Sequence, residues 1–194
     1  MTQIRMGNIG YKKSIGLQNI QSYLDFAFIK NGKKLPIISV GSGDAQVEYQ
    51  FIRKHYCPII CVDPKPDEFT QGRIYVEPEY DYVSNLIKDK PELVGNCHLL
   101  LIWPYPNEST YDVEAIKALD PVSFILIYES TGSSGGTQLL EEYLPTQEDY
   151  ILQKEYIVFY KSTNDHFCNT IAYFTKKGYT IVDDNSVYTG EITF

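Results

Sequence analysis

Leu35-Pro-Ile-Ile-Ser-Val-Gly-Ser-Gly-Asp-Ala-Gln-Val-Glu48, read together with Pro58-Ile-Ile-Cys-Val-Asp-Pro64, decides the fold of this chain. The apolar, β-branched run Ile37 to Val40 breaks at Gly41-Ser42-Gly43 and passes into a segment whose apolar positions, Ala45, Tyr49, Ile52 and Tyr56, recur at helical spacing. This pattern predicts a strand, a tight glycine turn and a helix that has begun by Ala45. A second apolar run ends in Asp63, twenty residues beyond Gly43. In a nucleotide-binding βαβ unit, that is about where a carboxylate accepts the hydroxyls of a ribose. Glycines suit the turn because they admit positive φ and let backbone N–H groups approach a ligand with no Cβ in the way. The dinucleotide pattern asks for a third glycine where this chain has Gln46, so a pyrophosphate cradle at the helix N-terminus is a poor match.

Ser39-Val40-Gly41-Ser42-Gly43-Asp44-Ala45 and Cys61-Val62-Asp63 resemble the first two motifs of the class I S-adenosylmethionine-dependent methyltransferases: acidic-x-Gly-x-Gly-x-Gly, then a strand ending in Asp or Glu. The resemblance departs at Ser39, where the family usually has a carboxylate that helps hold the methionyl amine, and at Ala45, which replaces the third glycine. It implies an α/β, three-layer α-β-α sandwich around a seven-stranded, mostly parallel Rossmann-like sheet that ends in an antiparallel hairpin. It implies S-adenosylmethionine as cofactor, with S-adenosylhomocysteine as product. Gly41, Ser42 and Gly43 would hold the methionyl part, Asp63 the ribose, and Pro64, in the rigid loop Asp63-Pro-Lys-Pro66, the adenosine side.

A chain of 194 residues, 43% hydrophobic and 22% charged, is read as one folded domain over 1–194, with an arm and helix (1–34), a cofactor-binding core (35–145) and a terminal hairpin and tail (146–194). The net charge of −8 supplies no positive field to attract nucleic acid. Small-molecule or protein substrates are therefore favoured. Cys57, Cys61, Cys97 and Cys168 show no Cys-x-x-Cys spacing and read as reduced, structural thiols; His55, His98 and His166 do not pair with them at metal-ligand spacing, so no metal site is expected. With neither a leader pattern nor 18 consecutive apolar residues, the expectation is a cytoplasmic protein with no membrane association.

Leu17, Ile20, Leu24, Ala27 and Phe28 form a helical stripe closed by Asn31-Gly32, preceded by an arm whose Tyr11, Lys12 and Lys13 either reach the site or are solvated. Ile74-Tyr-Val76 reads as a third strand. Glu77 at its end is either an adenine contact or a surface carboxylate. Tyr80, Val83, Leu86 and Ile87 suggest a helix ending before Pro91. Apart from His98, Cys97 to Trp103 has the uninterrupted apolar character of a central parallel strand. It exits into Trp103-Pro104-Tyr105-Pro106-Asn107, at the edge where open α/β sheets bind ligands. That loop is similar to the Asn/Asp-Pro-Pro-Tyr/Phe motif of amino-group methyltransferases, although Trp103 stands in the polar place and Tyr105 in that of the second proline. On this reading Trp103 and Tyr105 wall the acceptor site and Asn107 is a polar contact; the competing reading is a proline-rich strand exit with packed aromatics.

Ser109 and Thr110 offer an N-cap to a helix bearing Val113, Ile116 and Leu119, which stops at Asp120-Pro121. Val122 to Tyr128 is a fifth strand, and Glu129 at its tip is a base or cation-holding group, or else a capping or solvated carboxylate. A Gly/Ser-rich loop to Gly136 follows, then a short helix with Leu139, Leu140 and Tyr143. Tyr150 to Tyr160 and Thr170 to Thr175, joined by a polar tip at Ser162 to Asp165, predict the closing antiparallel pair. A tail with a strand-like Tyr179-Thr-Ile-Val182 ends the chain.

Three functions compete: a methyltransferase acting on an unidentified acceptor, a non-catalytic methyltransferase-like module that binds a protein partner through tyrosine-rich surface, and, third, an NAD(P)-dependent oxidoreductase, disfavoured by the glycine spacing.

Overall fold

The computed structural model describes residues 21–22, 24–30, 35–66, 73–104, 110–129, 138–161 and 166–179. In chain order these form α1 (Asp25–Lys30, a wide π-type segment), β1 (Ile37–Val40), α2 (Gln46–His55), β2 (Ile59–Val62), α3 (Val83–Asp89), β3 (His98–Ile102), α4 (Tyr111–Leu119), β4 (Ser123–Glu129), a π-type turn (Gln138–Tyr143) continuing into α5 (Leu144–Thr146), β5 (Tyr150–Lys161) and β6 (His166–Lys176). The sheet order is β2-β1-β3-β4-β6-β5. β1 to β4 are parallel, in register through Ile37 with Ile59 and His98, and His98 with Ser123. β6 runs antiparallel to both β4 and β5 and lies between them.

Each buried strand feeds two layers because successive side chains face opposite sides of the sheet. Ile37, Cys61, Leu100, Ile125 and Ile171 pack with Leu24 just before α1, Phe28 of α1, and Val47 and Phe51 of α2. Ile38, Val40, Leu99, Leu101 and Leu126 pack with Leu86 of α3 and Val113, Ile116 and Leu119 of α4. The result is an α-β-α sandwich, and no helix among the described residues is long and apolar enough to cross a membrane.

Four expectations need correction. The sheet has six strands among the described residues, not seven, because Ile74 to Val76 is not a strand. The Tyr75 N–H donates to the carbonyl of Asp44 (2.8 Å), which draws that segment to the glycine turn. What remains of a third strand is one parallel bridge, Val62 with Tyr80, where Asp63 N–H donates to Tyr80 O (3.0 Å). Second, α2 begins at Gln46; Ala45 is still in the turn with φ 53°, a left-handed conformation that disfavours a Cβ. Third, α2 buries Val47, Glu48 and Phe51, whereas Tyr56 lies past its end and is 91% exposed. Fourth, Thr110 precedes α4 without capping it; its hydroxyl donates to the Glu114 carboxylate (2.5 Å). The stripe positions Leu17 and Ile20, the polar tip Ser162 to Asp165 and most of the tail lie outside the described residues.

Candidate active site: a cavity over the glycine turn

Strand order reverses between β1 and β3, since β2 lies on one side of β1 and β3 to β4 extend on the other. Side chains there leave a crevice beyond the carboxyl ends of the strands. A cavity of about 890 Å³ opens at this point, between α3 and α4. Its floor is Val40 and Val62, the ends of β1 and β2; its walls include Gly41, Asp63, Pro64, Lys65, Trp103 and Tyr111, with Asp81 to Val83, Ile87 and Glu114 around them. The volume is within the range of small-molecule and cofactor sites.

Three residues named from sequence as cofactor-binding, Gly41, Asp63 and Pro64, thus share one cavity with Trp103. Ser42 and Gly43 do not reach its wall. The turn is tied to β2 instead. Gly41 N–H donates to Val62 O (2.8 Å) and Gly43 N–H to Asp63 Oδ2 (2.7 Å), while Lys65 N–H donates to Asp63 Oδ1 (2.8 Å). Asp63 is 7% exposed and is the clasp between the two motifs. A carboxylate has about four lone-pair sites, so each oxygen keeps capacity for a further donor such as a ribose hydroxyl. Gly41 and Gly43 adopt φ 70° and 56°, which explains why the turn needs glycine at both places.

Trp103 leaves β3 at φ 49°, a rare value for a bulky residue, and its N–H donates to Ile127 O (2.7 Å). That turn brings it to the cavity. Tyr105 and Asn107 lie outside the described residues, and Glu129 is the last residue of β4, opposite Asn169 in register.

Sequence reasoning missed several groups: Asp81, Lys88, Tyr111 and Glu114 on the cavity wall, and Glu48, which is buried on α2 beneath the glycine turn and does not line the cavity. Glu48 on α2 is 1% exposed and accepts a hydrogen bond from Ser39 Oγ (2.6 Å), so a carboxylate does stand beside the strand position that lacks one. Burial is the main force that raises its pKa to about 7; the Ser39 bond opposes this, and Asp44 and Asp63 add to it. The signal in the sequence was a glutamate three residues before Phe51 on the core face of α2. Tyr111, the first residue of α4, lies against Gly41: a methyl group built on that glycine would stand 2.8 Å from Tyr111 Oη. The thiols of Cys61 and Cys97 are buried, and burial pushes both pKa values up, Cys97 to about 12, so neither is a nucleophile at neutral pH.

No protein-family model matches the chain, and no curated protein does. Solved structures do. One is an uncharacterized protein from Listeria monocytogenes serotype 4b, at 12% identity and TM-score 0.50, covering 87% of this chain and 70% of that one. Another is magnesium protoporphyrin IX methyltransferase from Synechocystis PCC 6803 with bound SAM, at 12% identity and TM-score 0.49, covering 83% of this chain and 78% of that one. At 12% identity the likeness to the Listeria protein is one of fold alone. In this chain's own sheet the last strand, β6, lies antiparallel between β4 and β5.

Proposed function

We propose that this chain is an S-adenosylmethionine-dependent methyltransferase acting on an acceptor still to be identified. The observation that carries the reading is the convergence of Gly41, Asp63, Pro64 and Trp103 on one cavity at the strand-order reversal. When bound, the cofactor supplies a methyl group on a positively charged sulfur. Asp63 would receive the ribose hydroxyls, Pro64 and Lys65 would border the nucleoside, and Trp103 would wall the acceptor side and exclude water from an in-line transfer. Three carboxylates line the cavity, Asp63, Asp81 and Glu114, against two lysines, Lys65 and Lys88. This balance suits a cationic sulfonium. Tyr105, Asn107 and Glu129 remain candidates for acceptor contacts at the same edge.

One observation favours a second reading, a binding module that keeps the fold without turnover: the amides of Gly41 and Gly43 are already bonded within the protein. Calorimetry of the purified chain with S-adenosylmethionine, S-adenosylhomocysteine and NADH separates the readings. Heat and a raised melting temperature with the first two are expected. A response to NADH alone overturns the cofactor assignment. Binding of S-adenosylhomocysteine with no methyl transfer to any acceptor in a cell extract leaves the binding module.

A further inference from the structure

Ala45 is fully buried at φ 53°, a left-handed conformation that is costly for any residue with a Cβ and persists only where its surroundings hold it. Both of its chain neighbours are bonded to one residue from outside the turn. Tyr75 N–H donates to the carbonyl of Asp44 (2.8 Å), the residue before Ala45. Gln46 Nε2, from the residue after it, donates to Tyr75 Oη (3.1 Å). The Tyr75 ring also meets Tyr49 of α2, with 5.6 Å between ring centroids, and has the Arg73 guanidinium 4.5 Å from its centre. Ala45 N–H in turn donates to Ser42 O (2.9 Å), closing a turn that contains Gly43 and Asp44, and Gly43 N–H donates to Asp63 Oδ2 (2.7 Å). A continuous set of bonds therefore runs from Tyr75 to the carboxylate on the cavity wall.

We propose that Tyr75 is a positioning residue for the cofactor site: bonded to Asp44 and Gln46, it holds Ala45 left-handed and, through the turn, keeps Gly43 on Asp63. Tyr75 does not line the cavity, so it acts through the turn and not by touching a ligand. This inference rests on the adenosyl reading, in which Asp63 receives the ribose, and deepens it. Without the Tyr75 side chain, Ala45 can relax toward conformations that its Cβ prefers. Only molecules with the turn in place then bind, and the apparent affinity falls by that fraction. Glycine adopts positive φ without steric cost. A glycine at position 45 therefore makes the turn independent of Tyr75.

The test is a double-mutant cycle on the full chain: parent, Tyr75→Ala, Ala45→Gly and the two combined. Each is read for S-adenosylhomocysteine affinity by calorimetry, at a temperature where it is folded, and for its urea midpoint. Tyr75→Ala is expected to weaken the ligand roughly tenfold with alanine at position 45, and by no more than about threefold with glycine there. If Tyr75→Ala does not fold, Tyr75→Phe, which loses only the Gln46 bond, replaces it; a loss of about threefold is then expected, and a smaller one with glycine at 45. A folded Tyr75 variant that binds at least as tightly as the parent, or an equal loss with alanine and with glycine, overturns the proposal: Tyr75 then only packs, and the adenosyl reading stands. If the parent binds no S-adenosylhomocysteine, the adenosyl reading fails and the urea midpoints decide alone. Non-additive shifts then keep Tyr75 as the residue that holds Ala45, and additive ones remove it.

Discussion

Glu48 makes stability depend on pH in a direction opposite to that of a salt-bridged carboxylate. Its carboxyl, sealed under α2 with Ser39 Oγ as hydrogen-bond donor, has its pKa raised to about 7 from 4.5, mainly by burial. Between those values the folded state carries a proton that the unfolded chain has given up. Stability contributed by this group therefore falls as pH rises through the window and stays low above it. Each pKa unit is worth about 1.36 kcal/mol, so the displacement amounts to about 3 kcal/mol. Glu48→Gln removes the ionisation and keeps an oxygen for the Ser39 hydroxyl. The variant should match the parent near pH 4 and exceed it by about 3 kcal/mol near pH 8.5, or roughly 6–12 °C in melting temperature for a chain of this size. Urea titrations of both proteins across that range, compared pairwise so that other titrating groups cancel, measure it directly. Parallel profiles for parent and variant would refute the argument. So would a variant less stable at pH 8.5, because Glu48 would then be a paired anion.

Three further outcomes follow from the site. Asp63→Ala strips the acceptor from the amides of Gly43 and Lys65; bonds to a charged group are worth about 1.5–3 kcal/mol each and water in the cavity restores part, so a loss of roughly 2–4 kcal/mol is expected in urea unfolding, with weaker S-adenosylhomocysteine binding in calorimetry. An unchanged midpoint means the turn is not held by this clasp. Gly41→Ala meets two obstacles, φ +70° and the Tyr111 ring, so Tyr111→Ala added to it should recover the steric part and leave about 1–2 kcal/mol of left-handed strain; additive losses in this double-mutant cycle contradict the contact. Trp103→Phe keeps an apolar wall, so affinity for S-adenosylhomocysteine should hold within about threefold while transfer from labelled S-adenosylmethionine drops by up to about a hundredfold. Equal loss in both puts Trp103 on the cofactor rather than the acceptor.

The β1-turn-α2-β2 unit was legible because its apolar runs are short, uniform and interrupted by glycines. The same rule misjudged which face of α2 is buried. Glu48 and Gln46 count as polar, yet they lie inside because Glu48 accepts from the Ser39 hydroxyl and the Gln46 amide donates to Tyr75 Oη, and apolar Tyr56 is left in water. Ile74 to Val76 had strand composition, but strands need a partner, and the Tyr75 amide pairs with Asp44 of the turn instead. The helix start at Ala45 was misread since a positive φ at alanine leaves no trace in composition. Asp63 could be placed from its distance to the turn; its grip on Gly43 could not, because spacing does not reveal which donors fold back. Tyr111 escaped notice for a related reason: a tyrosine at a helix start looks solvent-facing until the fold sets a bare glycine beneath it.

These same hydrogen bonds bear on the choice of cofactor. A dinucleotide's pyrophosphate is bound chiefly by free backbone N–H groups at a glycine turn and helix N-terminus. Here the Gly43 N–H is spent on Asp63 and the Gly41 N–H on Val62, so neither is available for phosphate. Asp63, Asp81 and Glu114 outnumber the two lysines around the cavity, which opposes an anionic ligand and favours a cationic one. A neutral thioether ligand should consequently bind with little dependence on salt, and the sulfonium form should weaken as salt screens the carboxylates. Calorimetric affinities for S-adenosylhomocysteine and S-adenosylmethionine measured at about 0.01 M and about 1 M salt decide this. If the ratio of the two affinities does not move, the cavity's charge plays no part in recognising the sulfur, and selection rests on shape alone.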